Sequence, residues 1–167
     1  SVFQPDDATH TLRDYVRQRA NLVRLSAQHI QRMQKALELM NLKLTKVVGD
    51  VTGVTGLKII RAIVSGERDP QTLAKLRDRR CKHTAAEIAT ALDGRYRPEH
   101  VTELRLCLKM WDAYQEAIAE LDKEIAAHLR TMRRRSELPP LAKQPRVRGK
   151  KPHDPKFDVR EALYLST

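Results

Sequence analysis

Eight cations crowd into nineteen residues near the end of the chain: Arg133, Arg134, Arg135, Lys143, Arg146, Arg148, Lys150 and Lys151, opposed by Glu137 alone. Guanidinium and ammonium groups at that density neutralise phosphates without reading base sequence. The bland alternative is a solubilising spacer. Arg13, Arg17 and Arg24 lie on one flank of the first long helical pattern and either extend the basic surface or form a solvated face. A second candidate for anion binding is the turn Thr52-Gly53-Val54-Thr55-Gly56-Leu57 before Ile59-Ile60. Its pattern weakly resembles a helix–hairpin–helix, whose backbone N–H groups cradle a phosphate. A tight bend between packed helices explains the same glycines. Cys81-Lys82-His83 has no second ligand pair at a metal-binding spacing, so no metal site is expected. The 21 acidic residues fall mainly on solvent positions of helical patterns, and no strand pattern gathers them for two-metal chemistry. No phosphate-binding glycine loop and no nucleophile elbow is present. No catalytic residue is expected in the chain.

The elements that must carry these groups follow from the hydrophobic repeat. Val16, Val23, Ile30, Leu37, Leu44 and Val51 occupy one heptad position; Leu12, Met33, Met40 and Val47 occupy the other, with Arg19 and Ser26 breaking it. Such a seam marks helix–helix packing. With no proline or glycine inside it, a first long helix is predicted over about 6–48, close to 60 Å at ~1.5 Å per residue. Gly49, Gly53 and Gly56 interrupt it. Short helices are predicted between about 57 and 93: one to Ser65 with Gly66 beyond its end, one opened by Asp69-Pro70 and running to about Arg80, and one opened by the capping box Thr84-Ala85-Ala86-Glu87 and closed by Gly94. Pro98 opens a second long helix to about 134, with Val101, Leu104, Leu108, Trp111, Ile118, Ile125, Leu129 and Met132 on its seam. His10, His29, His100, His128 and His153 are scattered, most of them at expected surface positions.

Charge orients the pair. Residues 6–48 carry eight basic and four acidic side chains, and residues 98–129 carry three and seven. That complementarity favours antiparallel packing, with parallel self-association as the competing geometry. The expected fold is all-α: two long antiparallel coiled-coil-like helices capped by a cluster of short helices, spanning 1–135. A basic, proline-rich extended linker over 136–156 follows, and 157–167 reads as the start of a further domain. Val16, Val23, Ile30, Met33, Leu37, Met40 and Leu44 form the candidate seam for a homo-oligomer, dimer or tetramer.

The totals agree. Aromatics make up 4% of 167 residues and charged residues 32%, which suits helices with narrow apolar stripes. The formal charge of +11 favours a polyanionic partner. No apolar run approaches the ~20 residues that span a bilayer, so no membrane partner is expected. Two cysteines are too few for a disulfide framework, which fits a reducing cytosol.

Five ordered blocks add a resemblance. They are Arg13…Arg17…Arg19…Leu22-Val23, leading to Met33-Gln34-Lys35-Ala36-Leu37-Glu38-Leu39-Met40-Asn41-Leu42-Lys43-Leu44; then Asp50 to Gly56; Gly66-Glu67-Arg68-Asp69-Pro70 with Leu73-Ala74; and Gly94-Arg95-Tyr96-Arg97-Pro98-Glu99-His100. Together, over essentially the whole chain, they resemble bacterial insertion-sequence transposases of the DEDD type, insertion-sequence family one-ten and its eleven-eleven subgroup. The resemblance implies the helical middle segment of a DNA recombinase, cytoplasmic and nucleoid-associated during transposition, with DNA and a guiding bridge RNA as partners. It places four catalytic acids upstream, where a divalent metal such as Mg would bind, and a catalytic serine downstream. Neither a catalytic position nor a cofactor is carried over to this chain. The alternative is a stand-alone helical adaptor that binds nucleic acid or a partner protein without catalysis.

Overall fold

The computed structural model describes residues 7–138, and every regular element among them is helical. In chain order they are α1 (Asp7–Leu39), α2 (Leu44–Val47), α3 (Val54–Val64), α4 (Pro70–Ala74), α5 (Ala85–Ala91) and α6 (Pro98–Glu137). α1 and α6 pack against each other. The described residues form two compact units, whose boundaries fall within α1 and α6.

The first unit joins residues 7–23 of α1 to residues 117–137 of α6. Leu12 and Val16 bury against Leu121 and Ile125, with Tyr15, Leu22, Leu129 and Met132 around them. Arg19, a break in the apolar seam, donates to Asp122 at 2.7 Å. Tyr15 meets the edge of His128, whose Nε2 lies 2.6 Å from the Ala8 carbonyl. Partner numbers in α6 fall as those in α1 rise, so this pairing is antiparallel. His128 is therefore a packed, half-buried residue rather than a surface histidine.

The second unit, Arg24–Glu116, holds the larger core. Met33 and Leu37 from α1, with Met40 just past its end, bury with Leu44, Ile59, Ile60, Ile63, Leu73, Ile88, Leu92 and Leu104. Trp111 is half-buried against this core, in keeping with its place on the apolar seam. Here too the long-helix pairing is antiparallel: Arg32 reaches Glu103 at 3.1 Å and His29 packs on Tyr114. Arg61 clamps Asp112 with two hydrogen bonds of 2.8 and 2.7 Å, which ties α3 to α6. That hydrogen bonding holds the Asp112 carboxyl below the usual range and raises Arg61 further.

The first helix does not run to residue 48. It stops at Leu39, and Asn41 takes a left-handed conformation with φ 53°. Asn41 N–H donates to the Glu38 carbonyl and Leu42 N–H to the Leu37 carbonyl, each at 2.9 Å. These two bonds are a Schellman stop, and Leu37 and Leu42 share the buried core beside it. The heptad spacing continues through Leu44, Val47 and Val51 only because the chain refolds into the same core after the break. Five of the seven candidate seam residues, Val16, Met33, Leu37, Met40 and Leu44, are buried within the chain itself. Ile30 is half-buried, and Val23 stays 42% exposed.

Local signals set the other boundaries. α3 begins three residues earlier than predicted, at Val54, so Thr55 and Gly56 belong to the helix. Gly66 lies beyond its end at φ 111°, as predicted, with a second Schellman pair closing it. Asp69 caps α4 through the Gln71 and Thr72 amides, and Pro70 follows. Yet α4 ends at Ala74 and not near Arg80. The Asp78 carboxylate accepts from the Arg80 N–H, an alternative to helical bonding for this segment. α6 extends to Glu137, past the expected start of the linker at 136, supported by the Arg133–Glu137 pair one turn apart. Leu138, held out of helix by Pro139, ends it.

The capping box of α5 is present: Thr84 Oγ1 accepts from the Glu87 N–H, and the Glu87 carboxylate accepts from the Thr84 N–H. The Thr84 amide first, then His83, holds the Glu87 carboxyl below its usual range. A depressed carboxylate contributes stability above its unfolded pKa, and that contribution fades as pH falls through the folded value. Glu87→Gln is therefore expected to lower the melting temperature at neutral pH. Thermal melts in strongly acidic buffer should show the difference from the parent closed; a gap that persists there would contradict the charge-based account.

Candidate nucleic-acid interface

Two basic regions are on view. The first closes α6, where Arg133, Arg134 and Arg135 are all exposed. Consecutive helical residues sit ~100° apart, so these three fan around the helix rather than lining one face. Arg133 is engaged by Glu137 at 3.1 Å. Positive charge in a last turn also complements the helix dipole, which is a sufficient local reason for part of the cluster. Arg146, Arg148, Lys150 and Lys151, with the linker that carries them, lie outside the described residues, as does the segment 157–167. Of the arginines on α1, Arg13 and Arg17 belong to the first unit and Arg24 to the second, and all are exposed. Arg17 pairs with Asp14 one turn away, which takes part of its charge out of any basic surface.

The second region was missed by sequence reasoning, which treated 70–80 as helix. Between α4 and α5 the chain reads Lys75-Leu76-Arg77-Asp78-Arg79-Arg80-Cys81-Lys82-His83, five cations to one carboxylate. All five cations are exposed. The signal was available: a nine-residue charge count over this stretch is as one-sided as the C-terminal run.

This loop is pinned at both levels of its backbone. The Asp78 N–H donates to Thr55 Oγ1 at 2.9 Å, the Cys81 N–H donates to the Asp78 carbonyl at 3.0 Å, and Arg77 donates to the Cys81 carbonyl at 3.2 Å. The Asp78 carboxyl, bonded first by the Arg80 amide, is held below its usual range. Beside the loop opens a cavity of about 540 Å³, with Lys46, Gly53, Val54, Arg80, Lys82 and His83 in its lining. Asp50 and Asp78 also line it. Asp50 accepts from the Thr52 amide and hydroxyl, and Asp78 is tied down as described.

The glycine turn is thus a packing device in its own right. Gly53 is the N-cap of α3, in extended backbone with no side-chain cap. Gly56 sits so tightly on Val51 that an added Cβ would drive into its carbonyl. The bend between packed helices accounts for Gly56; Gly53 faces the cavity.

Cys81 Sγ lies 3.8 Å from the Val47 carbonyl and His83 pairs with Glu87 at 2.9 Å. Among the described residues no three His, Cys, Asp or Glu side chains gather where they could hold a metal ion. No helix among them is long and apolar enough to cross a membrane. No protein-family model matches the chain, and neither a curated protein nor a solved structure matches it.

Proposed function

We propose that this chain is the helical assembly and spacer segment of a DNA transposase, one that mobilises an insertion sequence by strand breakage and rejoining under the guidance of a bridge RNA. What supports the reading is where the resembling blocks lie in the fold. The block ending in Leu44 and the block from Gly94 to His100 are far apart in sequence, yet the Arg95 N–H donates to the Met40 carbonyl at 2.8 Å. The blocks at Gly66–Pro70 and Gly94–His100 meet as well, with the Arg68 guanidinium 4.9 Å above the Tyr96 ring. Tyr96 is buried enough that its hydroxyl is pushed up to about 12, and it donates to the Leu92 carbonyl. Three of the five blocks thus meet in one joint.

In this reading α1 and α6 hold the neighbouring catalytic domains apart, protomers assemble through helical surfaces, and Arg133–Arg135 with the basic run beyond them bind phosphates. DNA, bridge RNA and a second copy of the chain are the partners; the metal belongs to the upstream acids. Light scattering coupled to size exclusion tests assembly. A mass of two or more chains is expected, rising when duplex DNA is added. A monomer unchanged by DNA across micromolar concentrations would overturn the assembly role. The flanking reading frame separates this proposal from a stand-alone adaptor, because a transposase requires acidic motifs before the segment and a serine motif after it.

A further inference from the structure

We propose that the loop 75–83, with the adjoining 540 Å³ cavity, is a docking surface for the sugar–phosphate backbone of a double helix, separate from the basic run at the end of the chain. Three observations in the second unit carry this. The first is charge: Lys75, Arg77, Arg79, Arg80 and Lys82 are exposed against Asp78 within the loop, and exposed Lys58 and Lys46 lie on the neighbouring α3 and α2 against Asp50 in the cavity wall. Asp78 is occupied by the Arg80 amide and guanidinium, and its electrostatics already register Lys58. No side-chain hydrogen bond or ion pair among the described residues engages Lys75, Arg79 or Lys82, and the one carboxylate that feels the Lys75 charge, Asp69, is held by its own helix-capping bonds. Such cations bind phosphate by releasing its counterions.

The second observation is order. Loops with this charge usually repel themselves into extended chains, but here the backbone is fixed through Thr55, Asp78 and Cys81. The backbone that carries the cations is ordered before a partner arrives, which lowers the ordering cost of binding. The third is that no Phe, Tyr or Trp among the described residues offers a stacking platform there, and the His83 imidazole in the lining is paired with Glu87. The described aromatics, Tyr15, Tyr96, Trp111 and Tyr114, belong neither to the loop nor to the cavity lining. Single strands are gripped by stacking bases on aromatic rings; a duplex backbone needs none. Backbone contact without base contact positions a helix but does not specify sequence.

The test uses the 167-residue chain and a 20-base-pair DNA duplex of arbitrary sequence, read by fluorescence anisotropy over a salt series. The triple variant Lys75→Gln, Arg79→Gln, Lys82→Gln removes three cations whose side chains make no hydrogen bond or ion pair among the described residues, so its melting temperature should stay close to the parent's. It is expected to lose on the order of tenfold or more in affinity at low salt, and its log K against log salt should flatten by about 0.9 per contact removed. A companion variant, Arg133→Gln, Arg134→Gln, Arg135→Gln, should weaken binding independently, with the losses multiplying in the combined protein. Binding to an oligothymidine strand should be weaker than to the duplex. Duplex should also protect Lys75 and Lys82 from an amine-reactive reagent, a readout that needs no variant. Unchanged affinity and slope in the loop variant would overturn the proposal, as would a loss of affinity with no change of slope, or oligothymidine binding tighter than duplex. Loss in the α6 variant alone would leave the assembly reading standing and remove this surface.

Discussion

Gly94→Ala is expected to cost about 3 kcal/mol or more, the upper range for forcing a methyl into a closed interior. A Cβ at this position would enter the Met40 carbonyl and crowd both the Asn41 carbonyl and the Leu42 side chain. Two of those three neighbours are backbone and cannot rotate away. The approach is close because the Arg95 N–H donates to Met40 and the Lys43 N–H to Ala91, each at 2.8 Å. Gly49 provides the control, since a Cβ there meets nothing within 4 Å and its φ is not positive. Gly49→Ala should be neutral or stabilise by up to about 1 kcal/mol through the unfolded chain. Urea denaturation of the two variants separates them; equal midpoints would show that the joint yields where it is described as rigid.

Leu37→Ala carries the second large effect, about 2–5 kcal/mol. Leu37 is fully buried, and its carbonyl accepts the Leu42 N–H that closes the helix stop. Truncation opens a cavity in the larger core and removes the apolar contact that accompanies this stop. Val23→Ala, on the same heptad position two heptads earlier, should cost well under 1 kcal/mol because Val23 is 42% exposed. Equal losses at the two positions in thermal or urea unfolding would mean that both belong to one continuous buried seam, contrary to the packing described.

Capping signals were legible from the sequence because they are local. Asp69-Pro70, Gly66 and Thr84 with Glu87 each act within four residues, and each stands where expected. The antiparallel pairing of the long helices was legible too, from the opposed charge balance that now appears as Arg19 with Asp122 and Arg32 with Glu103. The end of α1 was not. Its stop uses Asn41 in place of glycine, and the apolar spacing carries on beyond it, so periodicity alone points to one uninterrupted helix. Gly94 shows the same limit from the other side. It was expected to end a helix by its own backbone freedom, but its φ is not positive; the constraint is a carbonyl more than fifty residues away in sequence. The loop at 75–83 was hidden by a capped helix start that suggested more helix than the chain forms, since nothing local announces that Thr55 will take the Asp78 amide.

The two backbone bonds joining Met40–Lys43 to Ala91–Arg95 also bear on the order in which the molecule can assemble itself. They close a long span of chain, and that closure entropy must be met before either bond forms. The leading turns of α1 can wind early on local forces alone, but the groups at its far end find these partners only after the short helices have gathered. Ribosomal emergence would therefore present a helix whose last turn stays unsettled until residue 95 has cleared the exit, and a slow amide-exchange signal at Lys43 and Arg95 would mark the moment the joint is sealed.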